Sequence, residues 1–189
     1  MRKLIFLDRD GVLNQIVVDP EMGTVDSPIH PEQVRIIEGI PEAVRLLTEQ
    51  GFHIAVVTNQ PAAAKGKTTI KNLEETHQRV VQLAQEKGGI IASSHICFHR
   101  AEDGCFCRKP RTQLLSSAYS LVPEVKREEI WMVGDGITDI EAGIAFGCKT
   151  AFLGPQKCDA CKVFSDRNIQ PDFWGRSLLE FTTQLLEKN

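Results

Sequence analysis

The chain has 189 residues, of which 42% are hydrophobic and 25% are charged, and its formal net charge is -3. These values suit one compact domain over residues 1–189 and exclude a broad basic surface for nucleic acid. The apolar run before Asp8 is too short for a signal peptide or a membrane span, so we expect a cytoplasmic protein without a membrane partner.

Apolar runs alternate with amphipathic stretches along the chain. Near-continuous apolar runs, typical of parallel strands covered on both faces, predict five strands at Lys3–Leu7, Phe52–Val57, Ile90–Ile96, Ile130–Val133 and Lys149–Leu153. Helical periodicity with Pro and Gly boundaries predicts helices over 42–50, 70–86, 112–121, 139–146 and 178–186. The alternation indicates an α/β fold with a parallel sheet. The segments 14–38 and 97–110 fit neither period and are candidate functional loops.

Two carboxylates straddle the end of the first predicted strand, in the segment Asp8-Arg9-Asp10-Gly11. A pair of carboxylates two residues apart can divide the roles of nucleophile and acid/base in covalent phosphoryl transfer. Both also attract Mg²⁺, a hard cation that prefers oxygen ligands. Taken alone, the same pattern is compatible with an acidic turn that closes a strand.

Polar groups also follow the second predicted strand and occupy the loop at 97–110. The segment Thr58-Asn59-Gln60 carries a hydroxyl and amides that can donate to phosphoryl oxygens, although helix capping and turn formation use the same residues. Lys109 could neutralise a transferring phosphoryl group, and Arg108 could grip a second anion bidentately. A solvated basic loop is the alternative for this pair.

A further acidic segment, with Asp135 and Asp139, follows the fourth predicted strand. Asp135 could complete a Mg²⁺ site and Asp139 could support it, with capping of the next helix as the alternative for Asp139. Because ligands of parallel sheets bind at the carboxyl ends of the strands, we expect these groups to gather at one edge of the sheet.

Cysteines are concentrated in the second candidate loop. Cys97, His99, Cys105 and Cys107 supply three thiolates and one imidazole within eleven positions, a complete ligand set for a closed structural Zn²⁺ site. Reduced cysteines beside a chance histidine are the alternative. Metal binding would lock the loop that ends at Arg108 and Lys109. For the later pair, Cys158 and Cys161, a metal site, a redox pair and two free thiols all stay open.

The four phosphate-directed segments, in this order, resemble the motifs of the haloacid dehalogenase superfamily of phosphohydrolases. The resemblance covers about residues 3–153 and implies a doubly wound, Rossmann-like sheet, here without a large cap domain. It implies that Asp8 is the nucleophile, that Asp10 is the acid/base, and that Thr58 and Lys109 hold the phosphoryl group. It also implies a Mg²⁺ site formed by the side chains of Asp8 and Asp135 and the backbone carbonyl of Asp10.

Together with the cysteine loop, these segments resemble one subfamily, the D-glycero-D-manno-heptose 1,7-bisphosphate 7-phosphatases and the related histidinol-phosphate phosphatases. This resemblance implies a small phosphosugar substrate, with Arg108 at the second phosphate or the sugar and Asn59 and Gln60 lining the site. Separately, we expect a monomer. Gly136 stands where the subfamily commonly has Lys, and Pro61-Ala62 replaces Ser-Gly. Both departures are expected to affect substrate binding, so histidinol phosphate and other phosphosugars stay open as substrates.

A phospho-receiver domain that signals without hydrolysis is the alternative of a different class. It also uses a strand-end Asp with Mg²⁺, Thr and Lys on a doubly wound sheet. Its acceptor would be expected in a mid-chain strand, and it would have no counterpart of Asp10 to hydrolyse the phosphate.

Overall fold

The computed structural model describes residues 3–19, 24–154, 162 and 164–187, and Cys158 and Cys161 therefore lie outside the described residues. Within these ranges the strands are β1 (Lys3–Leu7), β2 (Val17–Asp19), β3 (Thr24–Asp26), β4 (Phe52–Asn59), β5 (Ile91–Cys97), β6 (Trp131–Gly134), β7 (Lys149–Leu153) and β8 (Phe173–Gly175). The α-helices are α1 (Ile40–Glu49), α2 (Ile70–Ala84), α3 (Gln113–Tyr119), α4 (Ile137–Phe146) and α5 (Leu178–Glu187). Short 3-10 helices lie at Pro31–Gln33 and Arg127–Glu129.

Six strands form one parallel sheet in the order β5-β4-β1-β6-β7-β8. From β1 the chain runs outward through β4 to β5, and it then returns to β6 on the other side of β1. The strand order therefore reverses at β1, between β4 and β6. Crevices at such reversals are the usual ligand sites of open parallel sheets. The residues that follow β1, β4 and β6 converge there.

Helices cover both faces of the sheet. Ile5 and Leu7 of β1 belong to the core that includes residues of α1 and α5, whereas Leu4 and Phe6 belong to the core that includes residues of α3 and α4. All four side chains are fully buried, which explains the continuous apolar run in the sequence. The predicted doubly wound α/β fold is confirmed, and each of the ten predicted elements ends within two residues of its observed bounds.

Three short strands were not predicted from the sequence. β2 and β3 pair antiparallel as a hairpin inside the loop at 14–38, and β8 extends the sheet beyond β7. Each is three residues long, too short for an alternating pattern to emerge. In the described part of the chain this hairpin is the main addition above the sheet edge, and no large cap domain is evident. No helix among the described residues is both long and apolar enough to cross a bilayer.

Candidate active site

Asp8 is the first residue after β1, at the point where the strand order reverses. Its backbone N–H donates to the Val133 carbonyl at 2.9 Å, so β6 holds it in line with the sheet. Its Oδ1 accepts from the Arg9 backbone N–H at 2.7 Å and lies 2.9 Å from Lys109 Nζ. Burial and the negative charge of Asp139 raise the pKa of Asp8 to about 6, despite the opposing charge of Lys109. A further cation beside this carboxylate would favour its ionised form.

Asp8 is one of three carboxylates that cluster at this edge of the sheet. Asp8, Asp135 and Asp139 each offer an oxygen within 4.8 Å of the others. Desolvation, together with the charges of Asp8 and Asp139, raises the pKa of Asp135 to about 7. Carboxylates this close repel one another unless positive charge lies between them, and carboxylate oxygens are the ligands that Mg²⁺ prefers. The donor set therefore fits a Mg²⁺ ion shared by Asp8 and Asp135.

Two glycines leave room for the carboxylates of this cluster. Gly11 has φ of 77°, a left-handed conformation that glycine adopts without strain, and a Cβ there would lie 1.9 Å from Asp135 Oδ2. A Cβ at Gly134 would lie 2.2 Å from the Asp139 Cβ. Gly11 therefore lets the turn after β1 lie against Asp135, and Gly134 leaves room for the Asp139 side chain beside the end of β6.

Lys109 lies beneath the carboxylates with 2% of its surface exposed. Its Nζ donates to the Val57 carbonyl at 2.7 Å and lies 2.9 Å from Asp8 Oδ1 and 2.6 Å from Asp139 Oδ1. Burial alone would lower the pKa of Lys109, but Asp139 and Asp8 outweigh it and raise the pKa above its ordinary value. Lys109 therefore presents a fixed positive charge beside Asp8.

Asn59 ties the Lys109 segment to the end of β4. The Lys109 backbone N–H donates to Asn59 Oδ1 at 3.1 Å, and Asn59 Nδ2 donates to the Lys109 carbonyl at 3.2 Å. This reciprocal pair positions Lys109 across the gap between two sheet loops. The direct substrate contact predicted for Asn59 stays a prediction.

Asp10 is held by three side chains that leave little freedom to its carboxylate. Asn14 Nδ2 donates to Oδ1 at 2.9 Å, and Gln60 Nε2 donates to Oδ2 at 2.6 Å. Arg9 donates from Nε and Nη2 to the same carboxylate at 2.9–3.1 Å. Gln60 Nε2 also donates to Thr58 Oγ1 at 2.9 Å, so the Thr58 hydroxyl hydrogen can serve another acceptor, such as a phosphoryl oxygen.

The sequence did not predict the contacts of Arg9 and Asn14 with Asp10, or the inward orientation of the Gln60 side chain. Gln60 was predicted to contact substrate, and this contact stays untested, since its amide here bonds to Asp10, Thr58 and Arg9. The sequence feature that could have indicated a buried role for Arg9 is its position between two acidic residues, in Asp8-Arg9-Asp10. Arginine is almost never fully buried unless it is paired, so such a position indicates a specific partner.

The predicted cysteine loop folds into a compact cluster. Cys97 Sγ lies 3.7 Å from Cys105 Sγ and 3.1 Å from Cys107 Sγ, and the latter two sulfurs are 3.6 Å apart. His99 Nδ1 lies 3.6 Å from Cys97 Sγ and 3.3 Å from Cys107 Sγ. Tetrahedral Zn²⁺ with bonds of about 2.3 Å to sulfur needs sulfur separations of about 3.8 Å, so the cluster could hold this ion after small movements.

The protonation chemistry of the cluster also suits a bound cation. Burial and the hydrogen bond from Cys107 raise the pKa of Cys97 to about 12. A set of thiolates this close together is stable only when a cation compensates their charge. The four residues therefore fit a structural metal ion.

Next to Lys109 lies a cavity of about 320 Å³, which the cysteine loop borders. Its lining includes Arg100, Arg108, Arg111, Thr138 and Lys109. Arg108 is half-buried, and its Nη1 donates to the His99 carbonyl at 3.3 Å. A cavity lined by three arginines suits an anionic group.

Both the sequence and the fold are similar to those of known proteins. The HAD-hydrolase-like family model matches residues 106–181. A D-glycero-beta-D-manno-heptose-1,7-bisphosphate 7-phosphatase of Pseudomonas aeruginosa is 38% identical over 152 residues, which cover 80% of this chain and 81% of that protein. This chain belongs to the haloacid dehalogenase-like hydrolases. As a family member with curated phosphatase relatives, it is a phosphoric monoester hydrolase.

Two further relatives of this haloacid dehalogenase-like phosphatase are informative. The crystal structure of a D,D-heptose 1,7-bisphosphate phosphatase from B. bronchiseptica, complexed with magnesium and phosphate, superposes with a TM-score of 0.82 over 99% of both chains at 26% identity. The histidine biosynthesis bifunctional protein HisB of Legionella pneumophila is 30% identical over 75% of this chain but matches 38% of its own length.

Proposed function

We propose that this phosphatase removes the 7-phosphate of D-glycero-D-manno-heptose 1,7-bisphosphate through a phospho-aspartate on Asp8. The observation that carries the proposal is the convergence of Lys109, Asp135 and Asp10 around Asp8, beside a cavity bordered by Arg108. The identity to heptose bisphosphate phosphatases supports this substrate over histidinol phosphate, since the HisB relative matches more weakly and over part of its length.

In the first half-reaction, an Asp8 carboxylate oxygen attacks phosphorus in line with the sugar oxygen. Lys109 offsets the repulsion between Asp8 and the incoming phosphate, and Thr58 donates its hydroxyl hydrogen to a phosphoryl oxygen. As the bond from phosphorus to the sugar oxygen breaks, Asp10 donates a proton to that oxygen. The product is the dephosphorylated sugar position and an acyl phosphate on Asp8.

In the second half-reaction, Asp10 takes a proton from a water molecule that attacks phosphorus. The bond between phosphorus and Asp8 breaks, which releases inorganic phosphate and restores the free carboxylate. When bound by the Asp8 and Asp135 side chains and the Asp10 carbonyl, with Asp139 in support, Mg²⁺ supplies Lewis-acid stabilisation of the phosphoryl charge. Asp10 is two residues from Asp8, which favours turnover over the long-lived phosphorylation of a receiver domain.

Arg108 would bind the second anionic group of the substrate from the edge of the adjacent cavity. Its guanidinium can form bidentate bonds to a phosphate, and the neighbouring Arg100 and Arg111 raise the local positive potential. Bound Zn²⁺ would cross-link Cys97, His99, Cys105 and Cys107 and keep this loop ordered.

A phosphate-release screen with Mg²⁺ tests the proposal. It compares both anomers of heptose 1,7-bisphosphate with histidinol phosphate, fructose bisphosphate and a 3′-phosphorylated oligonucleotide. We expect the highest kcat/KM for a heptose bisphosphate and no turnover by Asp8→Asn. A higher kcat/KM for histidinol phosphate would overturn the substrate, whereas substantial activity of pure Asp8→Asn protein would overturn the phospho-aspartate chemistry.

A further inference from the structure

The Arg9 side chain is an unusual feature of the turn between the two catalytic candidates. It is fully buried, although both flanking carboxylates lie at the edge of the substrate site. Its Nη1 is buried without a hydrogen-bond partner among the described residues. Burying a guanidinium with one nitrogen that lacks a hydrogen-bond partner costs free energy. The contacts of Arg9 with Asp10 are therefore a poor source of net stability.

Arg9 acts on Asp10 in two ways. Directly, its Nε and Nη2 form a planar fork on the Asp10 carboxylate at 2.9–3.1 Å. Indirectly, Nη2 also donates to Gln60 Oε1 at 2.8 Å. Because a guanidinium only donates, it fixes the orientation of the Gln60 amide, whose Nε2 must then point toward Asp10 Oδ2 and Thr58 Oγ1. One side chain therefore couples the end of β1 to the end of β4.

This coupling bears on proton transfer more than on phosphate binding. The proposed mechanism uses the same Asp10 carboxyl group twice, first to protonate the leaving oxygen and then to deprotonate the attacking water. Displacing a reacting group by about 1 Å can cost about 100-fold in rate. The hydrogen bonds and ion pair of the Arg9 side chain go to Asp10 and Gln60. Lys109, whose charge faces the phosphoryl group, would be retained without it.

We propose that Arg9 is a positioning residue that, with Gln60, aligns the Asp10 carboxyl group for both proton transfers. This inference rests on the proposed phospho-aspartate mechanism, and it is independent of which phosphosugar is the substrate. It assigns Arg9 no contact with substrate.

A leaving-group comparison tests the assignment. Arg9→Met keeps the volume of the side-chain stem but removes the fork, and it is assayed on an alkyl phosphate turned over by the wild type and on p-nitrophenyl phosphate. We expect kcat for the alkyl phosphate to fall about 100-fold with KM changed less than about threefold. The burst of p-nitrophenol should persist at nearly the wild-type rate, because p-nitrophenolate leaves without a proton. Phosphorylated enzyme should then accumulate, because water attack still needs Asp10.

Two further variants separate the role of Arg9 from general effects of substitution. Arg79→Met removes an exposed arginine whose side chain contacts Gln82 in the same helix, and it should behave as wild type. Gln60→Leu removes the indirect contact between Arg9 and Asp10. It should repeat the loss of turnover that is specific to the alkyl phosphate, which keeps the test valid if Arg9→Met does not fold. In a folded Arg9→Met variant, a p-nitrophenol burst rate that fell as far as the turnover of the alkyl phosphate, or unchanged kinetics on both substrates, would overturn the role of Arg9. Active Asp8→Asn protein would instead overturn the mechanism itself.

Discussion

Lys109 and Arg9 are both almost completely buried beside the carboxylates that follow β1, yet they face different groups. Lys109 directs one ammonium toward the Val57 carbonyl in β4, Asp8 after β1 and Asp139 in α4. Arg9 applies a planar fork to Asp10 and the amide of Gln60. The same formal charge therefore serves two purposes, because a compact ammonium supplies electrostatic potential where a rigid guanidinium supplies orientation.

The largest effect is expected from removal of the Lys109 charge. We expect Lys109→Met to lower kcat/KM about 1000-fold on alkyl and aryl phosphates alike, since the charge that offsets the incoming phosphate is needed for any leaving group. Steady-state kinetics on both substrates measure it, with the exposed Lys71→Met as the matched control. A variant that retained fast p-nitrophenol release would show that Lys109 and Arg9 have interchangeable roles.

A smaller effect is expected from the loop that carries Lys109. Cys107→Ser should eliminate stoichiometric zinc and lower kcat/KM roughly tenfold, in the range found for supporting residues around catalytic groups. The loss is limited because Asn59 still bonds the Lys109 backbone at 3.1 and 3.2 Å. Metal content by mass spectrometry and thermal unfolding provide the readouts.

Cys148 offers a matched control for that experiment, because it is a buried free cysteine outside the loop. Cys148→Ala should keep both the zinc and the activity. If Cys107→Ser protein bound zinc as wild type does, the assignment of this ligand would be wrong.

The smallest effect concerns the surroundings of Arg9. Burial and the Arg9 charge lower the pKa of His77 to about 4, and its two ring nitrogens are buried without hydrogen bonds among the described residues. The unfolded chain, with a histidine pKa of about 6.5, then binds the proton first as pH falls. His77 therefore costs no stability above pH ~6.5 and destabilises the fold between pH ~6.5 and ~4.

Urea unfolding at two pH values measures this effect. From pH 7.5 to 5.5, the wild type should lose about 1.4 kcal/mol more unfolding free energy than His77→Gln. His30→Gln, at an exposed position, should keep the wild-type dependence. Identical pH dependence of wild type and His77→Gln would show that the histidine near Arg9 does not resist protonation.

Much of the fold could be predicted because the strands of a doubly wound sheet are buried on both faces. The fully buried Leu4–Leu7 run therefore reads as a strand in the sequence, and the helices on either face keep their amphipathic period. β2, β3 and β8 were missed because three residues carry no periodicity, and β8 also depends on pairing with β7, where Phe173 lies opposite Ala151.

The sequence alone indicates which residues could do chemistry, because Asp8, Asp10, Lys109 and Asp135 lie in loops that follow strands and Thr58 lies near the end of β4. Only the tertiary structure decided which of these groups meet and which way the buried side chains point. Arg9 lies between two acids in the chain, but its fork reaches Asp10 and Gln60 rather than Asp8. Asn59 bonds the backbone of Lys109. Such choices depend on the packing of β4 against β1 and on the desolvation of each charge, which local sequence does not encode.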